Sequence, residues 1–120
     1  VKRSIALLVV TLLVQSTGVS RADEPDIASK TMLKWCTDDP QTLGDVSCML
    51  YVVGFVQALE IASSESKTLD ICLPRNFTPA EARAVFIRTL RNIPQFQEER
   101  PDAALWASLG LAYPCAKKSN

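Results

Sequence analysis

The sequence predicts an all-α fold, a compact bundle of about four helices stapled by two disulfides, and three observations predict it. Apolar residues recur at helical spacing in four stretches separated by proline and turn chemistry. The one stretch rich enough in β-branched residues for a buried strand, residues 46–63, is too long for a strand and runs out in the helix formers Gln57-Ala58-Leu59-Glu60. Four cysteines, Cys36, Cys48, Cys72 and Cys115, lie beyond an N-terminal apolar leader, where an oxidising compartment lets them pair.

Residues 1–22 have the pattern of a secretory signal peptide: Lys2 and Arg3, an apolar run over residues 5–14, then Ser20-Arg21-Ala22 as a small-x-small cleavage site. The run falls short of the roughly 20 apolar residues that cross a bilayer, so no stable membrane anchor is expected. Export places residues 23–120 in the periplasm as a single domain of 98 residues. Ten of the 13 basic residues and all 13 acidic ones remain, a net charge of −3 that disfavours nucleic acid as a partner.

The first helix is expected over residues 27–35, with Ile27, Met32, Leu33 and Trp35 as its apolar side, stopped by Asp38-Asp39-Pro40. The second, residues 46–63, is apolar around its whole circumference, which places it at the centre of the domain. Gly54 in its middle reads as a point of close approach by a neighbouring helix. Val52, Phe55 and Val56 suit either the core or a second copy of the chain.

Thr78-Pro79-Ala80-Glu81 opens the third helix as a capping box with proline at the first helical position. Ala82, Phe86 and Leu90 then step by four, Val85 and Ile93 flank them, Arg83, Arg88 and Arg91 take the other side, and Pro94 closes the helix. The fourth runs over residues 101–113, with Leu105, Leu109 and Ala112 on one face. Trp35 and Trp106 are expected in the core.

Four cysteines allow three pairings, and helix geometry chooses among them. The second helix spans roughly 25 Å, whereas bridged Cα atoms lie within about 7 Å. Cys48 near its start therefore does not reach Cys72 beyond its end. With neighbouring helices antiparallel, Cys36 and Cys48 share one pole, Cys72 and Cys115 the other, which predicts the disulfides Cys36–Cys48 and Cys72–Cys115.

The chain contains no histidine. Ser-His and Cys-His catalysis are therefore excluded, and the cysteine gaps of 12, 24 and 43 contain no C-x-x-C zinc knuckle. The carboxylate pairs Asp38-Asp39 and Glu98-Glu99 sit in turns and read as solvated surface, and Asn76-Phe77-Thr78, a glycosylation sequon by pattern, is explained by the Thr78 cap. No catalytic residue, cofactor or metal is predicted, and the chain is expected not to be an enzyme. Two polar connections, residues 63–70 and 95–100, are the candidate partner contacts: Ser64, Glu65, Ser66 and Lys67 in one, Gln95, Gln97, Glu98 and Glu99 in the other.

The Cys36 segment, Cys48-Met49-Leu50-Tyr51-Val52-Val53-Gly54, Cys72-Leu73-Pro74, Thr78-Pro79, Pro94 and Tyr113-Pro114-Cys115, taken in order over about residues 32–115, resemble the Rap/Tai family of type VI secretion immunity proteins. The family's best-understood members are periplasmic helical proteins, often dimers, that inhibit peptidoglycan amidase effectors delivered by neighbouring bacteria. The resemblance implies that this chain binds such an amidase, blocks its cysteine-based active site, and pairs as a homodimer. The alternative is a periplasmic acid-stress chaperone of the HdeA type, or another small envelope binding protein, which would expose apolar surface as its carboxylates protonate.

Overall fold

The computed structural model describes residues 27–65 and 69–116. The signal-peptide pattern and the candidate contacts Ser66 and Lys67 lie outside the described residues. Four α-helices, α1 (Ser29–Cys36), α2 (Leu43–Glu65), α3 (Pro79–Asn92) and α4 (Pro101–Ala112), form the domain, with a 3-10 helix (Pro94–Glu98) between α3 and α4.

Helix α1 begins two residues later than expected, because Ser29 is drawn inward. Its N–H and its hydroxyl both donate to the Glu99 carbonyl, at 2.9 and 2.8 Å, which ties the start of α1 to the end of the 3-10 helix. Thr37 ends α1, its hydroxyl donating to the Leu33 carbonyl at 2.8 Å.

The following turn starts α2 three residues earlier than periodicity indicates. Thr42 accepts the Asp45 N–H through its hydroxyl, while the Asp45 carboxylate accepts the Gln41 N–H. Gln41 itself takes a positive φ of 69° to make the turn. The close approach expected at Gly54 is found at Gly44 instead. A Cβ at Gly44 would lie 2.6 Å from Asp38 Oδ2 and 3.3 Å from Trp35 Cδ1, whereas one at Gly54 would meet nothing within 4 Å.

The capping box of α3 is as predicted. Thr78 Oγ1 accepts the Glu81 N–H at 3.2 Å, and Glu81 Oε2 accepts the Thr78 N–H at 2.7 Å. Thr78→Ala is expected to lower the unfolding free energy by about 1 kcal/mol, read as a lower urea midpoint at unchanged slope.

The core is built from Met32 and Cys36 of α1, Cys48, Val52, Val56 and Leu59 of α2, Ile71, then Ala82, Val85, Phe86 and Leu90 of α3, and Ala104, Leu105 and Leu109 of α4. Trp35 packs partly buried against it. Arg83, expected on the outer side of α3, turns inward. Its guanidinium donates to the Cys36 carbonyl at 3.0 and 2.7 Å and meets Asp45 Oδ1 at 2.7 Å, so that α3 joins the end of α1 to the start of α2.

Both disulfides pair as expected from the helix lengths together with antiparallel packing, Cys36 with Cys48 and Cys72 with Cys115, at Cα separations of 5.1 and 4.9 Å. The second is flanked by a short antiparallel bridge. The Cys72 N–H donates to the Tyr113 carbonyl at 2.9 Å and the Cys115 N–H to the Asp70 carbonyl at 3.1 Å. Phe77 stands edge-on to Tyr113 beside it, ring centroids 5.1 Å apart.

Helix α2 does not sit at the centre of the bundle. Cys48, Val52, Val56 and Leu59 face the core, but Leu43, Val46, Leu50 and Ile61 lie on the opposite side and are exposed. Trp106, expected in the core, is exposed as well. A helix apolar all round does not reveal from sequence which side its own domain covers.

Candidate protein-binding surface

At 3.6 residues per turn, Leu43, Val46, Leu50, Gly54, Gln57 and Ile61 fall on one side of α2, half a turn from the buried row. Their exposure is large where it matters, 84% for Leu43, 68% for Leu50 and 62% for Ile61. Helix α4 widens the strip. Trp106 stands beside Phe55, Ala58, Leu59 and Ala62 around a shallow apolar hollow, and Leu111 is exposed further along α4.

By length and composition α2 would suffice to cross a membrane. Here Cys48 ties it to α1 and its inner row fills the core.

The predicted contact residues are not brought together. Ser64 and Glu65 end α2, where Ser64 turns its hydroxyl back onto the Ile61 carbonyl at 2.7 Å. That end of α2 borders a cleft of about 310 Å³ lined by Leu59, Glu60, Ser63, Ile71, Leu73 and Phe77, among others. Gln95, Gln97 and Glu98 belong to the 3-10 helix, which packs on α1 and α3, and Glu99 follows it. Among the described residues no hydrogen bond or ion pair joins the two regions.

Of that second group only Gln95 is exposed without a role in holding the fold. Gln97 is a structural residue, its amide donating to the Leu90 carbonyl at 2.9 Å. Glu98 pairs with Lys30 at 3.0 Å on the surface, a contact of the kind worth little, and Glu99 supplies the carbonyl that holds Ser29.

Two carboxylates, Asp45 and Asp102, are engaged by neighbouring groups. Asp45 is held below the usual carboxylate range, first by the Gln41 N–H and then by Arg83. Asp102 is lowered chiefly by its hydrogen bonds from Arg100. Burial raises the Tyr51 phenol, with the nearby Asp102 charge adding to it. Among the described residues no group of three or more cysteine, histidine or carboxylate side chains converges as metal ligands.

A sequence profile of the Rap1a immunity proteins matches residues 28–115. The chain belongs to the Rap1a immunity protein family. No curated protein and no solved structure matches it. The matched span opens one residue before α1 and closes on Cys115, so the family's unit is the whole disulfide-closed bundle. As a Rap1a immunity protein it is of the type that acts by binding a protein effector, and the resemblance carried by the cysteine and proline motifs is to this same family.

The α2 strip and Trp106 were not among the contact residues expected from sequence. A wheel drawn from Leu43 to Glu65 separates the two rows, but both are apolar, and the missing information was which of them the other helices cover.

Proposed function

We propose that this Rap1a-family chain is exported to the periplasm, where it binds and inhibits a peptidoglycan amidase delivered by type VI secretion, working there as a pair of copies. The observation that carries this reading is the extent of the family match, which takes in all four helices and all four cysteines. Two disulfides suit an oxidising compartment, and the leader-like residues 1–22 suit export to it.

Inhibition by such a protein is occlusion. A rigid bundle places a polar projection over the amidase cleft and excludes substrate without any bond being made or broken. Gln95 on the 3-10 helix and the Ser64-Glu65 end of α2 are the polar projections available for it. The 3-10 helix is the better braced, through Gln97 to α3 and through Glu99 to α1. Low mobility before binding reduces the ordering cost of the complex.

The test is hydrolysis of purified peptidoglycan by candidate type VI amidases, with the oxidised exported chain titrated in. Inhibition complete near one site per enzyme, weakened about tenfold or more by Gln95→Lys, is the expected result. Undiminished hydrolysis by every such amidase at saturating concentrations would remove the amidase as the target.

A further inference from the structure

We propose that the Cys72–Cys115 disulfide is a site of thiol–disulfide exchange with an external dithiol, attacked at Cys72, and that Cys36–Cys48 is a permanent cross-link which the same reagent leaves closed. Nothing in this depends on which effector the chain meets.

The two bonds differ in access. Cys36 and Cys48 are 2% and 0% exposed and belong to the core. Cys72 is exposed and Cys115 only partly buried. Exchange requires a thiolate to touch a disulfide sulfur, so burial protects the first bond for as long as the fold is intact, while the second stands at the surface. All four cysteines of the chain are used in these two bonds, which leaves no internal thiol to attack either of them. The reductant has to come from outside.

The surroundings choose the sulfur. Cys72 lines the cleft of about 310 Å³ beside Leu59, Glu60 and Ser63, and Cys115 does not. Cys115 Sγ lies 3.5 Å from the Leu69 carbonyl oxygen, which occupies one approach to it. The attacking thiolate bonds to Cys72 Sγ as the Sγ–Sγ bond breaks, and the electron pair of that bond goes to Cys115, which takes a proton from water. The second thiol of the reagent loses its proton and attacks the reagent sulfur held on Cys72, and Cys72 leaves as a thiolate that is protonated in turn. One dithiol is oxidised to a disulfide and one protein disulfide is reduced to two thiols, a transfer of two electrons.

What the exchange releases is a wall of the cleft. Ile71, Cys72, Leu73 and Pro74 form one side of it. They are fixed to the end of α4 by the disulfide and by two main-chain hydrogen bonds, from the Cys72 N–H to Tyr113 and from the Cys115 N–H to Asp70. Breaking Sγ–Sγ leaves those two bonds to close a loop of 43 residues unaided. At the other pole Arg83 still holds the Cys36 carbonyl and Cys36–Cys48 stays closed, so loosening begins at the cleft.

The test is a time course of the oxidised exported chain with dithiothreitol and, separately, with reduced thioredoxin at equal thiol concentration, each bond being read by alkylation and a non-reduced peptide map. Initially Cys72–Cys115 is expected to open about 100-fold or more faster than Cys36–Cys48, because the buried bond reacts only after its part of the fold has opened. Faster opening by thioredoxin identifies a protein dithiol as the better donor, faster opening by dithiothreitol a small one. With glutathione and an acid quench, the mixed disulfide is expected on Cys72. Amide exchange at Cys72 and Cys115 should accelerate once the bond is open. Equal initial rates at the two bonds, a first opening at Cys36–Cys48, glutathione carried on Cys115, or a Cys72–Cys115 bond that neither reductant opens in the folded chain overturns the proposal. Undiminished amide protection at both residues after reduction overturns the release of the cleft wall.

Discussion

Replacing Cys72 and Cys115 together by serine is expected to lower the unfolding free energy by about 4 kcal/mol, and replacing Cys36 and Cys48 by about 3 kcal/mol. The ordering follows from loop length, 43 residues against 12, because a cross-link stabilises mainly by restricting the unfolded chain. Native contacts leave that order in place. The long bridge is backed by two main-chain hydrogen bonds and the Phe77–Tyr113 contact, the short one by Arg83, which reaches both Cys36 and Asp45. A domain of this size has about 5–15 kcal/mol in total, so the larger loss leaves it near the edge of folding. Urea unfolding of the two double variants under oxidising conditions reads the difference directly. A greater loss at Cys36–Cys48 would mean that strain or native packing, and not chain entropy, governs these cross-links.

Arg83→Met is expected to cost about 1.5–3 kcal/mol at neutral pH through the Cys36 carbonyl alone, which loses two charge-assisted donors in a place with little access to water. Its effect on Asp45 appears as a pH dependence. The folded-state pKa of Asp45 is depressed, so the stability it contributes is complete above the unfolded value near 4 and is lost as pH falls through the folded value. The Gln41 N–H, the larger cause of the depression, survives the substitution. The acid-side slope of stability should therefore become shallower in Arg83→Met without vanishing. Arg83→Lys should recover only part of the loss, since an ammonium does not reproduce the two guanidinium bonds to one carbonyl. An unchanged neutral-pH midpoint with an unchanged acid slope would show that Arg83 holds nothing together.

The class of fold and both cysteine pairings were legible because they depend on quantities a sequence carries directly. The length of the α2 rod keeps Cys48 away from Cys72, short connections between antiparallel helices decide between the two pairings left, and Thr78-Pro79-Ala80-Glu81 encodes its cap within four residues. Where the deciding atom lies elsewhere in the fold, the reading failed. Gly44 and Gly54 are alike in sequence, and only Asp38 Oδ2 and Trp35 Cδ1, brought across the turn, distinguish the one with close neighbours. Arg83 resembles Arg88 and Arg91 along the chain, and only its hydrogen bonds to the Cys36 carbonyl, 47 residues away, set it apart. Gln97 was grouped with its polar neighbours as a contact residue, yet its amide donates to the Leu90 carbonyl and braces the 3-10 helix. The apolar strip was hidden by the same uniformity that made α2 easy to recognise as a helix.

The two disulfides also define a covalent topology. Their rings, 36–48 and 72–115, neither overlap nor nest, and the chain between residues 48 and 72 belongs to neither. A protease nick anywhere between 73 and 114 leaves a single covalent molecule, α3 and α4 still clasped by Cys72 and Cys115. A nick beyond the end of α2, before Cys72, divides the protein into two pieces held by packing alone. The connection that follows α2 is thus a stretch where neither disulfide compensates for a cut, and its end at Ile71 and Cys72 lines the cleft beside Leu59 and Phe77.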